Sequence, residues 1–454
     1  MVCDTEMTQT TGSPLAVQNE QVLARQLSAL QQAMMALGGA IGTGLFLASG
    51  LAVNIAGPAI TLTYLLVAVI ALLLGSALAE MAVAHPTAGA FGVYAEIYVS
   101  PFAGYAVRVS YWLMEVVATG GQLIAASIYM AYWFPSIPGA VWVLAFAVAL
   151  IVVNARVVGQ LGTVESMLVL IKIAAVGLFV VVATLTLFGL TGSPAIGLQH
   201  LTDRGGFMPF GISGVWLGSC FVIYSFIGVE IVGVTSGEAA DPSRTIPTAM
   251  RRMVIGLSVI YIVTIMLLVA LTPWNELGVG ESPFVSVLTR LRIPYAAGVM
   301  NFVVLSAALS SANANLYIMT RTMFSLARAG FIPRALGNVT EQGTPLAGLL
   351  VSGAGLGVAV LVQALWPQSA YVWFFGVALF GALFVWLMIF VTHIAFRTRA
   401  LPPGSFVGAA LIGAILVSTW WVPALRSTLI AGGPWMLLLA VGYRVTARRV
   451  QSQQ

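Results

Sequence analysis

The chain has 454 residues, of which 60% are apolar and only 7% are charged, and its mean hydropathy is +1.00. Soluble globular proteins carry roughly a quarter charged residues, so this composition excludes a soluble fold and predicts a polytopic membrane protein. A formal charge of +5 would suggest a nucleic-acid partner in a soluble protein. In a membrane protein, the positive charge is better explained by basic residues that lie on one side of the membrane, and we expect no nucleic-acid partner.

Long apolar runs separated by polar breaks predict an all-α fold with twelve transmembrane helices, since each span needs roughly 20 residues. The polar residues 1–27 lack the basic start and apolar core of a signal peptide, which predicts a cytoplasmic tail. Numbered in chain order, spans 1 to 12 cover about 30–54, 58–82, 103–133, 139–156, 164–189, 212–236, 253–273, 296–325, 346–366, 371–394, 405–423 and 428–445.

The basic residues agree with this layout when both termini lie in the cytoplasm. Fourteen arginines then lie at the inner face, and only Arg204, Arg290, Arg292 and Arg426 lie outside. This asymmetry is the one that the positive-inside rule describes. Lys172 completes the 19 basic residues, so the chain has a single lysine, and it falls inside span 5.

Span 1 contains four glycines within seven residues, namely Gly38, Gly39, Gly42 and Gly44. Each weakens a helix by about 1 kcal/mol relative to alanine. One interpretation is close helix packing through small residues. The other is a helix broken near mid-membrane, whose exposed N–H groups hold an anionic group such as a carboxylate. A nucleotide-binding loop is not indicated, because no strand precedes the glycines and no Gly-Lys-Ser/Thr follows them.

Three ionisable residues fall inside predicted spans, where such residues are costly and usually functional. Glu230 of span 6 is either a functional acid or a structural one. Spans 1 and 6 are five spans apart, which is the spacing expected if spans 1–5 and 6–10 are inverted repeats with a site between them. Lys172 either snorkels to the interface or carries protons. Glu115 of span 3 is either a structural acid facing Arg108 or water, or a selector of cationic substrates.

Neither the histidines nor the cysteines form a reactive cluster. His85, His200 and His393 are too scattered for a metal site or a catalytic triad, and Cys3 and Cys220 lie far apart. No predicted loop is large enough for a catalytic domain. We therefore expect no metal, no cofactor and no enzymatic activity.

Four stretches resemble the amino acid–polyamine–organocation (APC) superfamily, and most closely its bacterial amino acid permeases. They are Ala36–Gly50, Glu80–Phe91, Ser225–Glu230 with its continuation Gly237–Pro247, and Ser310–Gly330. The resemblance implies a five-plus-five inverted-repeat core with helices 1 and 6 broken and two helices added at the C-terminus. The expected bounds are 28–400 for the core, about 28–190 and 205–400 for its repeats, 401–447 for the added helices and 448–454 for a cytoplasmic tail.

The resemblance also implies a substrate site between spans 1, 3, 6 and 8. The substrate carboxylate would rest on the span 1 amides, and its ammonium would face carbonyls of the broken segments. The implied substrate-binding residues are Ala40, Ile41, Gly42, Thr43, Gly44, Thr119, Gln122, Tyr224, Ser225, Ile227 and Asn315. By this resemblance, Lys172 occupies the position where sodium-coupled relatives hold an ion. Together with Glu230 it suggests proton coupling. The residues expected near this coupling site are Gly38, Gly39, Ser310 and Ser311.

These expectations describe a secondary active transporter that carries amino acids across the cytoplasmic membrane by alternating access. Proton-coupled uptake is the leading hypothesis. Exchange of one amino acid for another is the alternative, and a permease-like nutrient sensor comes third. The expected partners are an amino acid substrate, protons and the lipid bilayer, and the pocket residues favour neutral substrates.

Overall fold

A computed structural model describes most of the chain. The described residues are 37, 40–87, 89–156, 161–191, 194–234, 236, 241–278, 280–293, 295–340, 345–398 and 400–451. For residues 156, 161–166 and 447–451 only the backbone is described.

The described residues form helices, turns and loops without any strand, which confirms the all-α prediction. Each of the twelve predicted spans contains a helix. In span order these are Ser49–Ala56, Ile60–Ala84, Pro101–Met130, Gly139–Arg156, Leu161–Leu187, Gly211–Ser225, Pro242–Leu271, Ala296–Arg328, Leu346–Leu365, Ala370–Phe396, Pro403–Ser418 and Arg426–Gln451.

Length and hydropathy identify these helices as membrane-spanning. Nine helical runs in the described part are long and apolar enough to cross a bilayer, and one of them, Gly44–Ala84, covers spans 1 and 2 together. The shorter apolar helices Gly139–Ala155 and Gly211–Ser225 account for spans 4 and 6. The chain is therefore a multi-pass membrane protein.

Spans 1 and 6 are both interrupted, as predicted. In span 1 the chain bends at residues 41 and 42 and continues as a π-helix, Gly44–Ala48, before the α-helix of that span. In span 6 the helix ends at Ser225, turns occupy residues 226–230, and a short helix, Ile231–Val234, follows. Gly228 has φ +107° in these turns, a conformation that only glycine adopts without strain.

Two helices and one helix start were not predicted. The helix Ala90–Tyr98 follows span 2, and Pro283–Arg290 precedes span 8. The helix of span 7 begins at Pro242 rather than near residue 253, because its polar first turns give no hydropathy signal. Proline suits the first turn of a helix, because backbone N–H groups there have no intrahelical partner and the absence of one costs nothing.

Span 3 lies at the centre of the bundle. Within its most apolar 18-residue window 83% of the residues are buried, against 22% in span 12. Span 3 packs against spans 8 and 10. Span 3 therefore lies inside the bundle, and span 12 lies at its periphery.

Candidate functional site

The main chains of the two broken helices touch at Gly44. A Cβ atom at this position would lie 2.7 Å from Cα of Ser225 and 3.1 Å from the carbonyl oxygen of Tyr224. Packed protein interiors do not tolerate such approaches between carbon atoms. The glycine therefore allows the start of the span 1 helix to rest directly on the end of the first span 6 helix.

Three neighbouring spans hold the break in span 1 in place. Hydroxyl groups from spans 7, 8 and 10 donate hydrogen bonds to three carbonyl groups at the break. The bonds run from Tyr261 to Ala40 at 3.0 Å, from Ser311 to Ile41 at 3.3 Å and from Tyr371 to Thr43 at 3.4 Å. These donors meet the requirement that backbone groups freed in a membrane find partners within the protein.

The break in span 6 is closed by its own acid. Both carboxylate oxygens of Glu230 accept from the N–H of Gly228 at 3.1 Å, and Oε2 also accepts from Nε1 of Trp386 at 3.2 Å. Glu230 is fully buried. Its carboxylate therefore satisfies a backbone donor of the unwound segment and ties that segment to span 10.

A small cavity lies between the two breaks. Its volume is about 20 Å³, which is room for about one water molecule. Spans 1, 3, 6 and 8 all contribute to its wall. The lining residues are Ala40, Gly42, Thr43, Gly44, Glu115, Ala118, Gln122, Tyr224, Ile227, Gly228 and Asn315.

Three polar atoms of residues that line this cavity have no hydrogen-bond partner within the described part of the chain. They are Oγ1 of Thr43, Oε2 of Glu115 and Oε1 of Gln122. Each residue is at most 5% exposed. Since buried polar groups in folded proteins are nearly always paired, three unpaired oxygens around one cavity point to a site for a polar ligand.

Eight of the eleven residues expected to bind substrate line this cavity, and three do not. Ile41 and Ser225 lie behind the wall, where Ser225 packs on Gly44. The hydroxyl of Thr119 donates to the carbonyl of Glu115 on its own helix at 2.7 Å. Ala118, the residue before Thr119 on span 3, lines the cavity instead.

Two lining residues, Ala118 and Gly228, were missed, and Glu115 was weighed only for a different role. Ala118 lies one helical turn before Gln122, so helical periodicity was the signal that could have found it. Gly228 could have been found as the glycine two residues before an intramembrane acid. The supporting residues Tyr261, Tyr371 and Trp386 gave no signal, because their partners are more than 150 residues away in sequence.

The described residues expected near the coupling site, Lys172, Ser310 and Ser311, are buried and do not line the cavity. Lys172 is 0% exposed, so it does not reach the surface as a snorkelling lysine would. Ser310 and Ser311 are buried in span 8, and a Cβ on Gly42 would lie 2.7 Å from Oγ of Ser311. Gly38 and Gly39 lie outside the described residues.

A second polar cluster lies where span 2 ends, away from the cavity. Glu80 contacts Arg397 at 2.5 Å and His393 at 3.0 Å, which joins span 2 to span 10. His85 contacts the hydroxyl of Tyr98 at 2.5 Å, and partial burial lowers the pKa of His85. This cluster fixes the ends of helices and contributes no group to the cavity.

Sequence comparisons place the chain among permeases. The family model described as "Amino acid permease" matches residues 31–453. The uncharacterized amino acid permease YtnA of Bacillus subtilis is 34% identical over 93% of this chain and 95% of its own length. The aromatic amino acid transport protein AroP is 33% identical in Escherichia coli K12 and 34% in Salmonella typhi, over 94% of this chain and 96% of the relative in each case.

Proposed function

Because the chain belongs to the amino acid permease family, we propose that it carries amino acids across the membrane as a secondary active transporter. One observation carries the proposal: the breaks of spans 1 and 6 meet at a cavity whose wall holds three unpaired polar oxygens. A buried polar atom without a partner costs about 1–3 kcal/mol. A zwitterionic substrate, which is rich in hydrogen-bonding groups, would remove that cost.

The two ends of an amino acid match the two kinds of group that a broken helix offers. The helical run that begins at Gly44 directs its first N–H groups and the positive end of its dipole toward the cavity. The substrate carboxylate is therefore assigned to the amides of residues 42–44. The carbonyl ends of the broken segments at Ala40, Tyr224 and Ile227, which also line the cavity, face the ammonium.

The small volume of the cavity supports alternating access. A space of about 20 Å³ holds no amino acid, so the walls would have to move apart before substrate binds. Tyr371 of span 10 bonds the carbonyl of Thr43 beside the cavity, and this contact must part before substrate enters from that side. Rocking of one group of helices against the rest would open the site to each side in turn.

For proton coupling we propose Lys172 and Glu230. Lys172 is the only lysine and is fully buried, on a helix that packs against spans 7 and 8. The carboxylate of Glu230 accepts from Gly228 and Trp386. Protonation would convert one of its oxygens into a donor and weaken the closure of the span 6 break. Proton uptake at this acid would thereby loosen the segment that contacts substrate.

The proposed location is the cytoplasmic membrane, with both termini in the cytoplasm. The support is the distribution of arginines, fourteen inside and four outside in this orientation. For the substrate we propose a neutral amino acid and place the aromatic ones first, because two of the relatives are named for aromatic amino acid transport.

Uptake of a panel of labelled amino acids into proteoliposomes, with and without an imposed inward proton gradient, tests the proposal. We expect at least one neutral amino acid to accumulate, and to do so only with the gradient. Lys172→Ala should lose this accumulation and keep counterflow exchange, which needs no net proton movement. Uptake that depends on preloaded amino acid and ignores the gradient would favour exchange. Failure to transport any amino acid would refute the proposed function.

A further inference from the structure

The two acids that lie near the breaks differ in their hydrogen bonding. Glu230 is satisfied by Gly228 and Trp386. Glu115, which is only 2% exposed, lines the cavity with Oε2 unpaired within the described residues. Arg108, which the sequence suggested as a structural partner of Glu115, donates to Glu96 at 2.6 Å. A buried carboxylate oxygen without a partner is costly unless a ligand supplies one.

The unpaired atoms in the cavity wall share one chemical character, since all three are oxygens. The amide oxygen of Gln122 and the carboxylate oxygen of Glu115 only accept hydrogen bonds, and the hydroxyl of Thr43 also accepts. The side-chain atoms left unpaired in the cavity wall therefore offer acceptors to a ligand. The ligand group that fits such a wall is a cationic donor, and a primary ammonium offers three N–H bonds.

The main-chain carbonyls near the cavity are already partly used. The carbonyl of Ala40 accepts from the hydroxyl of Tyr261 at 3.0 Å, and the carbonyl of Tyr224 accepts from the N–H of Ile227 at 3.3 Å. Carbonyl dipoles also carry no net charge. An ammonium taken out of water needs a full negative charge nearby to offset its desolvation. Within the described part of the cavity wall, Glu115 is the acidic residue.

We propose that the carboxylate of Glu115 is the ionic partner of the substrate's α-ammonium group, whose other N–H groups are shared by the oxygens of Gln122 and Thr43 and the carbonyls of the broken segments. This rests on the proposed function and assigns a charged anchor to the same site. It also predicts that the transporter recognises the amino group of its substrate more strictly than the side chain.

The test compares binding of the best substrate in the uptake panel with binding of the same molecule without its amino group; for L-phenylalanine this is 3-phenylpropanoate. In the wild type the amino acid should bind far more tightly. Glu115→Gln should weaken binding of the amino acid on the order of 30-fold or more, as loss of a buried charge pair does, and change binding of the deamino compound less than threefold. The matched control is Glu276→Gln, an acid-to-amide change in an exposed loop, which should keep the wild-type preference.

A second measurement does not depend on folding of the variant. A hydrophobic carbodiimide modifies buried carboxyl groups, and mass spectrometry of the wild-type protein reports the extent at Glu115. The amino acid should slow this modification and the deamino compound should not. Equal protection by both compounds, or a Glu115→Gln protein that keeps the wild-type preference within threefold, would overturn the anchor. Amino acid transport by the wild type would still stand in that case, so the two proposals fail separately.

Discussion

At the scale of single residues, the contact between the breaks depends on the missing side chain of Gly44. A methyl group here would meet the backbone of Ser225 rather than the end of a flexible side chain. Backbone cannot move aside without shifting the span 6 helix. The glycine pattern of span 1 was therefore a sound basis for predicting the break. Which of its four glycines makes the contact depends on the packing of span 6, which no local pattern contains.

We predict that Gly44→Ala separates the two breaks. Overpacking of this kind costs about 1–3 kcal/mol, so substrate affinity should fall roughly tenfold or more, with a lower thermal midpoint. Gly256→Ala in span 7 is the matched control, because an added Cβ there would meet no described atom within 4 Å. Equilibrium binding of labelled substrate and thermal unfolding in detergent measure both effects. Equal behaviour of the two variants would contradict this role of Gly44.

At the scale of helices and loops, the sequence predicted where the spans lie far better than where short helices form. All twelve spans contain a helix, because a bilayer demands long apolar runs. The helix Ala90–Tyr98 was missed because it is too short for a hydropathy signal and depends on tertiary packing. Phe91 packs edge-on against Tyr111, and a Cβ on Gly92 would meet the side chain of Arg108.

The three hydroxyl donors of spans 7, 8 and 10 are another feature of packing between elements. We predict that Tyr261→Phe loses the bond to the carbonyl of Ala40. A buried hydrogen bond contributes about 0.5–1.5 kcal/mol, so the KM for uptake should rise about two- to tenfold while the protein remains folded. Tyr443→Phe is a control, since Tyr443 packs against Phe102 far from the cavity. An unchanged KM in Tyr261→Phe would show that this bond does not position the break.

At the scale of the whole molecule, ion pairs join distant segments at the ends of the bundle. Glu276, in the connection after span 7, pairs with Arg290 and lies 4.0 Å from Arg204, in the connection before span 6. The hydrogen bond from Arg290 lowers the pKa of Glu276. These pairs were not predicted individually, because charge patterning gives the side of the membrane and not the partner.

This network should make stability depend on pH and salt. Since the pKa of Glu276 is lowered in the folded protein, its contribution is present above the ordinary glutamate pKa and is lost as the pH falls toward the lowered value. We predict a small drop in thermal midpoint as the pH falls from about 5 to about 3, which 1 M salt reduces. The variant Glu276→Gln should show less of this drop. A pH dependence identical in wild type and variant would exclude the pair as its source.

The central claim for the whole molecule is that substrate binds in the cavity between the two breaks. The chain has only two cysteines, Cys3 and Cys220, so a single cysteine is easily placed at Ala118 in the cavity wall or at the exposed Val339. The decisive measurement is the rate at which a membrane-permeant thiol reagent modifies each cysteine with and without the transported amino acid. We predict that the substrate slows modification at position 118 severalfold and leaves position 339 unchanged. If the rate at position 118 were the same with and without substrate, in a variant that still binds substrate, the claim that substrate binds in this cavity would be contradicted.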